Sequence, residues 1–240
     1  VEKGGRTLIR VVDDGCGMEA DDLALAVERH ATSKLPDGDL TRIGTLGFRG
    51  EALPSIGAVS RLAVTSRTRG AASGVAIVVD AGQKGPVRPA AAEPGTRIEV
   101  TDLFAATPAR LKFLKSDRAE AQAVAETVKR LAVAHPAIRF ALDGDGLSSF
   151  SYPPESEDDD GFARRCARVL GDDFSANSVP VAALREGFRI SGRVGLPTFH
   201  RGAAGYVHFV VNGRPVRDKL LLGAVRGAYA DVMPRDRHPV

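Results

Sequence analysis

The stretch that most suggests chemistry is Asp13-Asp14-Gly15-Cys16-Gly17-Met18, set between a β-branched run and a helical pattern. A buried carboxylate at such a place can accept a hydrogen bond from an exocyclic amine, as on adenine. Gly15 and Gly17 let the backbone approach a flat ring closely. Asp and Gly are also common turn residues, and alone the stretch reads as a turn. A second stretch, Gly47-Phe48-Arg49-Gly50-Glu51-Ala52-Leu53, runs a glycine-bearing loop into a helix start. Free N–H groups there suit phosphate oxygens, and the helix dipole favours an anion. Arg49 either reaches that anion or pairs with a surface acid. Thr32, Ser33 and Lys34 offer two hydroxyls and an ammonium group to a phosphate or a neighbouring subunit, although a solvated loop is the simpler reading. Gly95-Thr96 enters a strand, with room at the glycine and a hydroxyl for a base, directly or through water. No GxxxxGK[ST] loop occurs, so any nucleotide is held without one.

These residues need elements to position them. Thr7 to Val12 reads as a strand. The helix after the first motif carries Asp21 and Asp22 in its first turn and an apolar face of Leu23, Ala26, Val27 and His30. Residues 31–50 lack periodicity and read as a long loop, a lid or a disordered segment. A short helix is expected from Glu51 to Val59. Strands follow at Arg61 to Ser66, Gly74 to Val79 and Arg97 to Leu103, with Gly82 to Gly95 as turn or loop. Pro108 to Leu114 starts a short helix, and Ala121, Val124, Ala125, Val128, Leu131 and Ala132 mark an amphipathic one. A hairpin over Ile138 to Leu142 and Leu147 to Ser151 precedes an acidic, proline-bearing stretch, 152–160, that reads as a linker. Beyond it come a helix (Phe162 to Leu170), strands at Val179 to Leu184, Phe188 to Val194 and Tyr206 to Val211, and a helix from Asp218. Helices and strands in mixed order make the class α+β, with domains at 1–151 and 161–240. Val1 is not methionine and the Gly4-Gly5 turn has almost no first strand before it, so residues are expected to be missing at both ends.

In order, the strand with DxGxG and a helix, the glycine-bearing loop ending at a helix, and the GT-strand resemble the GHKL ATPase superfamily. Within it, four strings resemble the MutL family of DNA mismatch-repair proteins. They are Arg29-His30-Ala31-Thr32-Ser33-Lys34, the Gly47 to Leu53 run, Thr107-Pro108-Ala109-Arg110 with Lys112-Phe113, and Val211-Asn212-Gly213-Arg214-Pro215-Val216-Arg217-Asp218. The resemblance implies a Bergerat-type sandwich of helices on a mixed sheet, followed by a partial ribosomal-S5-like α/β domain. It implies ATP and Mg²⁺ as cofactors. By it, Asp13 takes the adenine amine, Gly15 and Gly17 pass beside the base, and Thr96 supports the adenine end. Thr32, Ser33, Lys34, Gly47, Phe48, Arg49, Gly50 and Glu51 belong to the lid that wraps the triphosphate. The general-base Glu and the Mg²⁺-binding Asn are implied before Val1, so this chain alone is expected not to hydrolyse ATP. The implied function is an ATP-dependent switch that couples mismatch recognition to downstream strand incision. ATP binding drives homodimerisation and hydrolysis resets it, with DNA and a MutS-type mismatch-recognition protein as partners. Another GHKL ATPase piece (topoisomerase or chaperone type) or a non-hydrolysing DNA clamp are the alternatives. Phe104-Ala105-Ala106 departs from the family, which more often has Tyr or Asn there.

Bulk properties fit this. Of 240 residues, 43% are hydrophobic and 26% charged, as in a globular protein with a core. No apolar run approaches the ~20 residues of a membrane helix, and no signal-peptide order is seen, so a cytoplasmic protein is expected. Cys16 and Cys166 form no CxxC pair, and His30, His135 and His208 have no ligand spacing. A net charge of +3 permits nucleic-acid binding without demonstrating it. Of the basic set Arg185, Arg189, Arg193, His200, Arg201, Arg214, Arg217, Lys219 and Arg226, Arg214 and Arg217 flank a turn in a family string and are the favoured contacts to DNA phosphates, without reading of sequence.

Overall fold

In strand β2 (Arg61–Arg67) Leu62, Val64 and Ser66 are buried, while Arg61, Ala63, Thr65 and Arg67 face the other way. That period of two is the geometry of a pleated strand with one face on a core. The computed structural model describes residues 1–31, 47 and 49–240, and in it β2 lies at the centre of a sheet. Strand β6 (Gly95–Thr101) pairs with β2 and, on its far edge, with β1 (Leu8–Asp13). Strand β3 (Gly74–Asp80) takes the other edge of β2, and two short strands, β4 (Gln83–Lys84) and β5 (Arg88–Ala90), pair with β3. Each of these pairings is antiparallel. The segment 82–95, expected to be plain loop, therefore adds two short strands to the sheet. Backbone hydrogen bonding to β3 outweighs the weak strand propensity of its Gly, Pro and Ala residues.

The register builds rows across the strands. Ile9, Val100, Leu62 and Val79 form one, and Val11, Ile98, Val64 and Ile77 the next. Helix α1 (Ala20–Ala26) sets Leu23 on this face, followed by Val27, and α2 (Ala52–Gly57) adds Leu53 and Ile56. Leu23 and Leu62 have no exposed surface. Burial of each contributes about 1.5–3 kcal/mol, which is what fixes the helices to the sheet. Helix α1 is shorter than its periodicity suggested. The chain turns left-handed at His30 (φ 65°), and that side chain is exposed instead of lying on the apolar face.

The chain divides into two compact units: residues 1–125 with 143–149, and 126–142 with 150–240. The division falls inside α4 (Asp117–Ala134), which follows the short α3 (Pro108–Leu111). The stretch 152–160 packs within the second unit. Tyr152 is buried in β8 (Phe150–Tyr152), which pairs with β7 (Phe140–Leu142). Glu155 holds Arg164 and Arg168, each at 2.8 Å. Helix α5 (Asp159–Leu170) begins where the Asp158 carboxylate accepts the Gly161 N–H at 2.7 Å, a side-chain N-cap.

Arg165 of α5 is fully buried. Its guanidinium donates to the carbonyls of Ala132, Pro136, Ile138 and Pro153 at 2.8, 2.8, 2.9 and 2.6 Å. The rings of Phe140 and Tyr152 lie 6.0 and 5.9 Å away. One side chain thus ties the end of α4, the β7–β8 hairpin and α5 together. After α6 (Asp172–Ala176) come the β9 (Ser178–Arg185) and β10 (Phe188–Gly195) hairpin, then β11 (Phe209–Val211) and β12 (Arg214–Val216). The single strand expected over Tyr206 to Val211 is instead a short helical turn (Ala204–Tyr206) and the first arm of a hairpin. Asn212 and Gly213 take φ of 47° and 77°, the two positive values a tight two-residue hairpin turn needs. Helix α7 (Lys219–Ala228) starts with Asp218 accepting the Leu221 N–H at 2.9 Å. Among the described residues, no helix is long and apolar enough to cross a membrane.

Candidate functional site

The third row of the same sheet face is polar. It runs Asp13, Thr96 and Ser66 across β1, β6 and β2. The alternation that places leucine and valine in the first two rows delivers a carboxylate and two hydroxyls here, at the end of the apolar core. Ser66 is fully buried and links the pieces. Its Oγ lies 2.9 Å from Thr96 Oγ1, donates to the Gly95 carbonyl at 3.0 Å and accepts the Met18 N–H at 2.8 Å. The Asp13 carboxylate accepts the Gly15 N–H at 2.9 Å, so it closes the first turn of the DxGxG loop. Asp13 itself is exposed, where its residue type and setting suggested a buried carboxylate. It ends strand β1, which stands at the edge of the sheet. An exposed carboxylate remains a strong acceptor for an amine brought by a ligand.

Two glycines are required by close approach. Gly95 (φ 117°) lies against the Asp13 carbonyl, and Gly17 (φ 72°) against the Arg67 carbonyl, with no space for a side chain at either. They let the DxGxG loop press on the strand ends. Gly15 has no positive φ, and a side chain there would meet the Asp13 carboxylate. Cys16, in the same loop, is exposed.

The long loop's candidates fall into two groups. Thr32, Ser33, Lys34 and Phe48 lie outside the described residues. Gly47, Arg49, Gly50 and Glu51 are described. The His30 N–H donates to the Gly50 carbonyl at 3.2 Å, and Gly50 (φ 61°) rests on the Ala31 backbone. His30 Nδ1 and a Glu51 carboxylate oxygen are 3.8 Å apart. The chain entering the segment at 30–31 therefore meets the chain leaving it at 50–51. Helix α2 spans only Ala52–Gly57, shorter than Glu51 to Val59, and Glu51 makes no side-chain cap. So short a helix aligns few peptide dipoles, and the anion-binding role expected of its start is correspondingly weakened.

In the second unit a basic cluster gathers around Arg130, a residue with no distinguishing mark in the sequence. Its guanidinium donates to the carbonyls of Val207 and Gly205 at 3.4 and 3.3 Å. Burial, then the nearby Arg217, pull its pKa down. His208 beside it is pushed down to about 4 by burial and then by Arg130, Lys129 and Arg217, so it is neutral at neutral pH. Three cationic side chains, Lys129, Arg130 and Arg217, thus converge around a neutral imidazole, with Glu126 as the counter-charge acting on Arg130. Arg214 lies in β12, shortly before Arg217 in the chain. Other members of the basic set have local duties. Arg193 is bonded to Ser178 Oγ and its carbonyl at 3.1 and 3.0 Å, and Arg201 lies 4.2 Å from the Phe199 ring. Ser66, which bonds Met18, Gly95 and Thr96, is a further candidate that motif reading misses. The signal for it is a polar residue at a core position of an otherwise apolar alternation. Arg130 has no comparable signal, since basic residues on a long helix are ordinary.

Residues 166–240 match the family described as DNA mismatch repair protein, C-terminal domain. Over the whole chain, the DNA mismatch repair protein MutL of Beijerinckia indica is 59% identical, and that of Phenylobacterium zucineum 56% identical over 99% of the chain. The chain spans 38% and 40% of those two proteins' lengths. Among solved structures, the Aquifex aeolicus MutL ATPase domain complexed with ADP is 27% identical with a TM-score of 0.69, covering 95% of this chain and 77% of that one. The N-terminal domain of a DNA repair protein, at 21% identity and a TM-score of 0.77, covers all of this chain and 75% of its own and shares the fold.

Proposed function

The chain belongs to the MutL family of DNA mismatch-repair proteins, and from that premise we propose that its first unit carries the adenine end of an ATP site and its second a contact surface for DNA. Family membership removes the topoisomerase and chaperone readings. The observation that carries the nucleotide reading is the row of Asp13, Thr96 and Ser66 at the end of the core, in a fold shared with an ADP-complexed MutL ATPase domain. Asp13 accepts the adenine amine. Thr96 faces the base, and Ser66 holds Thr96 and the DxGxG loop in place. Gly15 and Gly17 keep the loop low beside the ring. Thr32, Ser33, Lys34, Gly47, Phe48, Arg49, Gly50 and Glu51 form the lid over the phosphates, anchored where His30 bonds Gly50. Mg²⁺ supplies charge neutralisation at the phosphates when bound, and no residue of this chain is assigned to it.

In the whole protein, we take ordering of the lid by ATP to bring two copies together and hydrolysis to release them, an order–disorder switch. That switch would pass mismatch recognition by a MutS-type partner to strand incision, in the cytoplasm. The functional division proposed is 1–151 for the ATPase part and 161–240 for the S5-like part, supported by a family match that begins at residue 166, although residues 126–142, with Lys129 and Arg130, pack in the same compact unit as the latter. Arg214 and Arg217, joined by Arg130 and Lys129, contact DNA phosphates.

Calorimetric titration of the chain with ATP and GTP tests the nucleotide site. A hydrogen bond to a charged group contributes about 1.5–3 kcal/mol, so Asp13→Ala is expected to weaken ATP binding about 10- to 100-fold and to erase its advantage over GTP. Equal binding of ATP and GTP by the parent, or an Asp13→Ala variant that binds ATP as the parent does, would refute the assignment.

A further inference from the structure

Ser66 has no exposed surface, Thr96 beside it is half-buried and Asp13 beyond is exposed, so the polar row leads from the core of the first unit out to solvent. Ser66 and Thr96 are direct cross-strand partners, as are Thr96 and Asp13, which brings their side chains within reach of one another. At the inner end, the Ser66 hydroxyl depends on protein groups alone for its hydrogen bonds.

A serine hydroxyl carries one proton and two acceptor lone pairs. Three groups lie within hydrogen-bonding distance of Ser66 Oγ: the Met18 N–H at 2.8 Å, the Gly95 carbonyl at 3.0 Å and Thr96 Oγ1 at 2.9 Å. The N–H can only donate and the carbonyl can only accept. One lone pair of Ser66 therefore takes Met18, and its proton goes to Gly95. The other lone pair faces Thr96, so the proton between the two hydroxyls belongs to Thr96. In the opposite arrangement Ser66 would donate to Thr96. The Ser66 and Gly95 oxygens would then face each other at 3.0 Å with no proton between them, in a setting of low dielectric where that repulsion is strong.

Thr96 is thus fixed as an acceptor toward a ligand. Its single proton is held by Ser66, and lone pairs remain on its open side. Asp13 is an acceptor as well. Its Oδ1 takes the Gly15 N–H, which leaves Oδ2 for a ligand. The open end of the row therefore offers side-chain lone pairs from two adjacent strands. We propose that Ser66 is a positioning residue that sets base specificity: by holding the Thr96 proton, it makes the site take a 6-amino purine and reject a 6-oxo purine. The amine has two protons for two acceptors, given directly or through a water that donates to Thr96. A 6-oxo oxygen brings lone pairs against lone pairs. The proposal rests on the reading of this row as the adenine end of an ATP site. It adds a second determinant of base choice beside Asp13, because a threonine hydroxyl free to rotate would turn its proton toward a 6-oxo oxygen.

Calorimetric titration of the chain with ATP and with inosine triphosphate, whose base carries a 6-oxo group in place of the amine, tests it. The parent is expected to bind ATP about tenfold or more tighter, equivalent to 1.4 kcal/mol. Ser66→Ala frees the Thr96 proton, and the ratio of the two affinities is expected to fall by about the same factor. A serine that only held the loop in place would weaken both nucleotides alike and leave the ratio unmoved. Thr96→Val removes the lone pairs and is also expected to lower the ratio, whereas a ratio that stays or rises overturns the proposal. Should Ser66→Ala fail to fold by circular dichroism, or bind neither nucleotide, proton NMR of the ligand-free parent decides. The Thr96 hydroxyl proton is expected to exchange slowly with water and to show a cross-peak to the Ser66 β protons, and fast exchange overturns the proposal. A parent that binds neither nucleotide, or both alike, defeats the nucleotide reading and the proposal together. An ATP-selective parent whose ratio survives Ser66→Ala defeats the proposal alone.

Discussion

Replacing Arg165 is expected to unfold the second unit far more readily than its position on a charged helix suggests. Four backbone carbonyls, from Ala132, Pro136, Ile138 and Pro153, share this one guanidinium at 2.6–2.9 Å, with no exposure of the residue. Three of the carbonyls share the two N–H bonds of Nη2, so three hydrogen bonds to a charged group at about 1.5–3 kcal/mol each give a gross figure of roughly 4.5–9 kcal/mol. The net loss is smaller. Arg165→Leu also relieves the desolvation of a buried charge, which pulls the Arg165 pKa down, and some carbonyls relax onto water. Leaving buried carbonyls without a donor costs about 1–3 kcal/mol each, so after that relief a net loss of about 3–5 kcal/mol is expected. With a urea dependence of about 1–3 kcal/mol/M, the midpoint falls by roughly 2 M. Arg165→Lys is expected to fare no better. An ammonium keeps the buried charge but cannot reach four carbonyls spread over three elements. The chain has no tryptophan, so far-UV circular dichroism in a urea series is the suitable assay. If both variants unfold within about 0.5 kcal/mol of the parent, as ordinary surface substitutions do, Arg165 is not the tie described.

The two thiols are expected to differ sharply. Cys16 is exposed, whereas burial pushes the Cys166 thiol up to about 12, so mass spectrometry after brief alkylation should find one modified cysteine in the native chain and two after unfolding. ADP should slow the reaction of Cys16, and an unchanged rate at saturating ADP would count against a base lying over that loop. Arg164 and then Arg168 hold the Glu155 carboxyl below its usual value by hydrogen bonding. A depressed folded pKa gives stability that is present above the unfolded pKa and is lost as pH falls through the folded one. The stability difference between the parent and Glu155→Gln should therefore be constant near neutrality and shrink in acid below the ordinary carboxylate range. A difference in urea midpoint that stays flat down to the acid limb would show that the pair is not formed in solution. Finally, Arg130→Glu with Arg217→Glu should weaken duplex DNA binding. The slope of log K against log salt should fall by about 2, given about 0.9 for each phosphate that is no longer neutralised. An unchanged slope would remove this cluster from the DNA surface.

Much of the first unit was legible because its strands are half-buried. A period of two in Leu62, Val64 and Ser66 announces one inward face, and the rows follow once the partners align. The DxGxG and GT motifs were legible as separate turns. That they meet at one strand end depends on Asp13 pairing with Thr96, a pairing between distant parts of the chain that no local pattern encodes. Short strands β4 and β5 were hidden for a related reason: a two- or three-residue strand has too few residues to show alternation, and only an existing neighbour makes it a strand. The β11–β12 hairpin was half seen, its turn being spelled by Asn212-Gly213 but its second arm lying inside a string read for its arginines.

Residue type and spacing by themselves marked the turns and the mixed order of helices and strands that makes the class α+β, and they spelled four strings whose resemblance pointed to the family and, through it, to the residues proposed to meet ATP. Tertiary structure decided which of them stand together: the Asp13–Thr96–Ser66 row, the burial of Arg165 and the gathering of Lys129, Arg130, His208 and Arg217. The physical reason is that a side chain's surroundings are set by long-range pairing and packing. An arginine reads the same along the chain whether it ends in water or under four carbonyls, and the free energy separating those fates is expressed only in the folded protein.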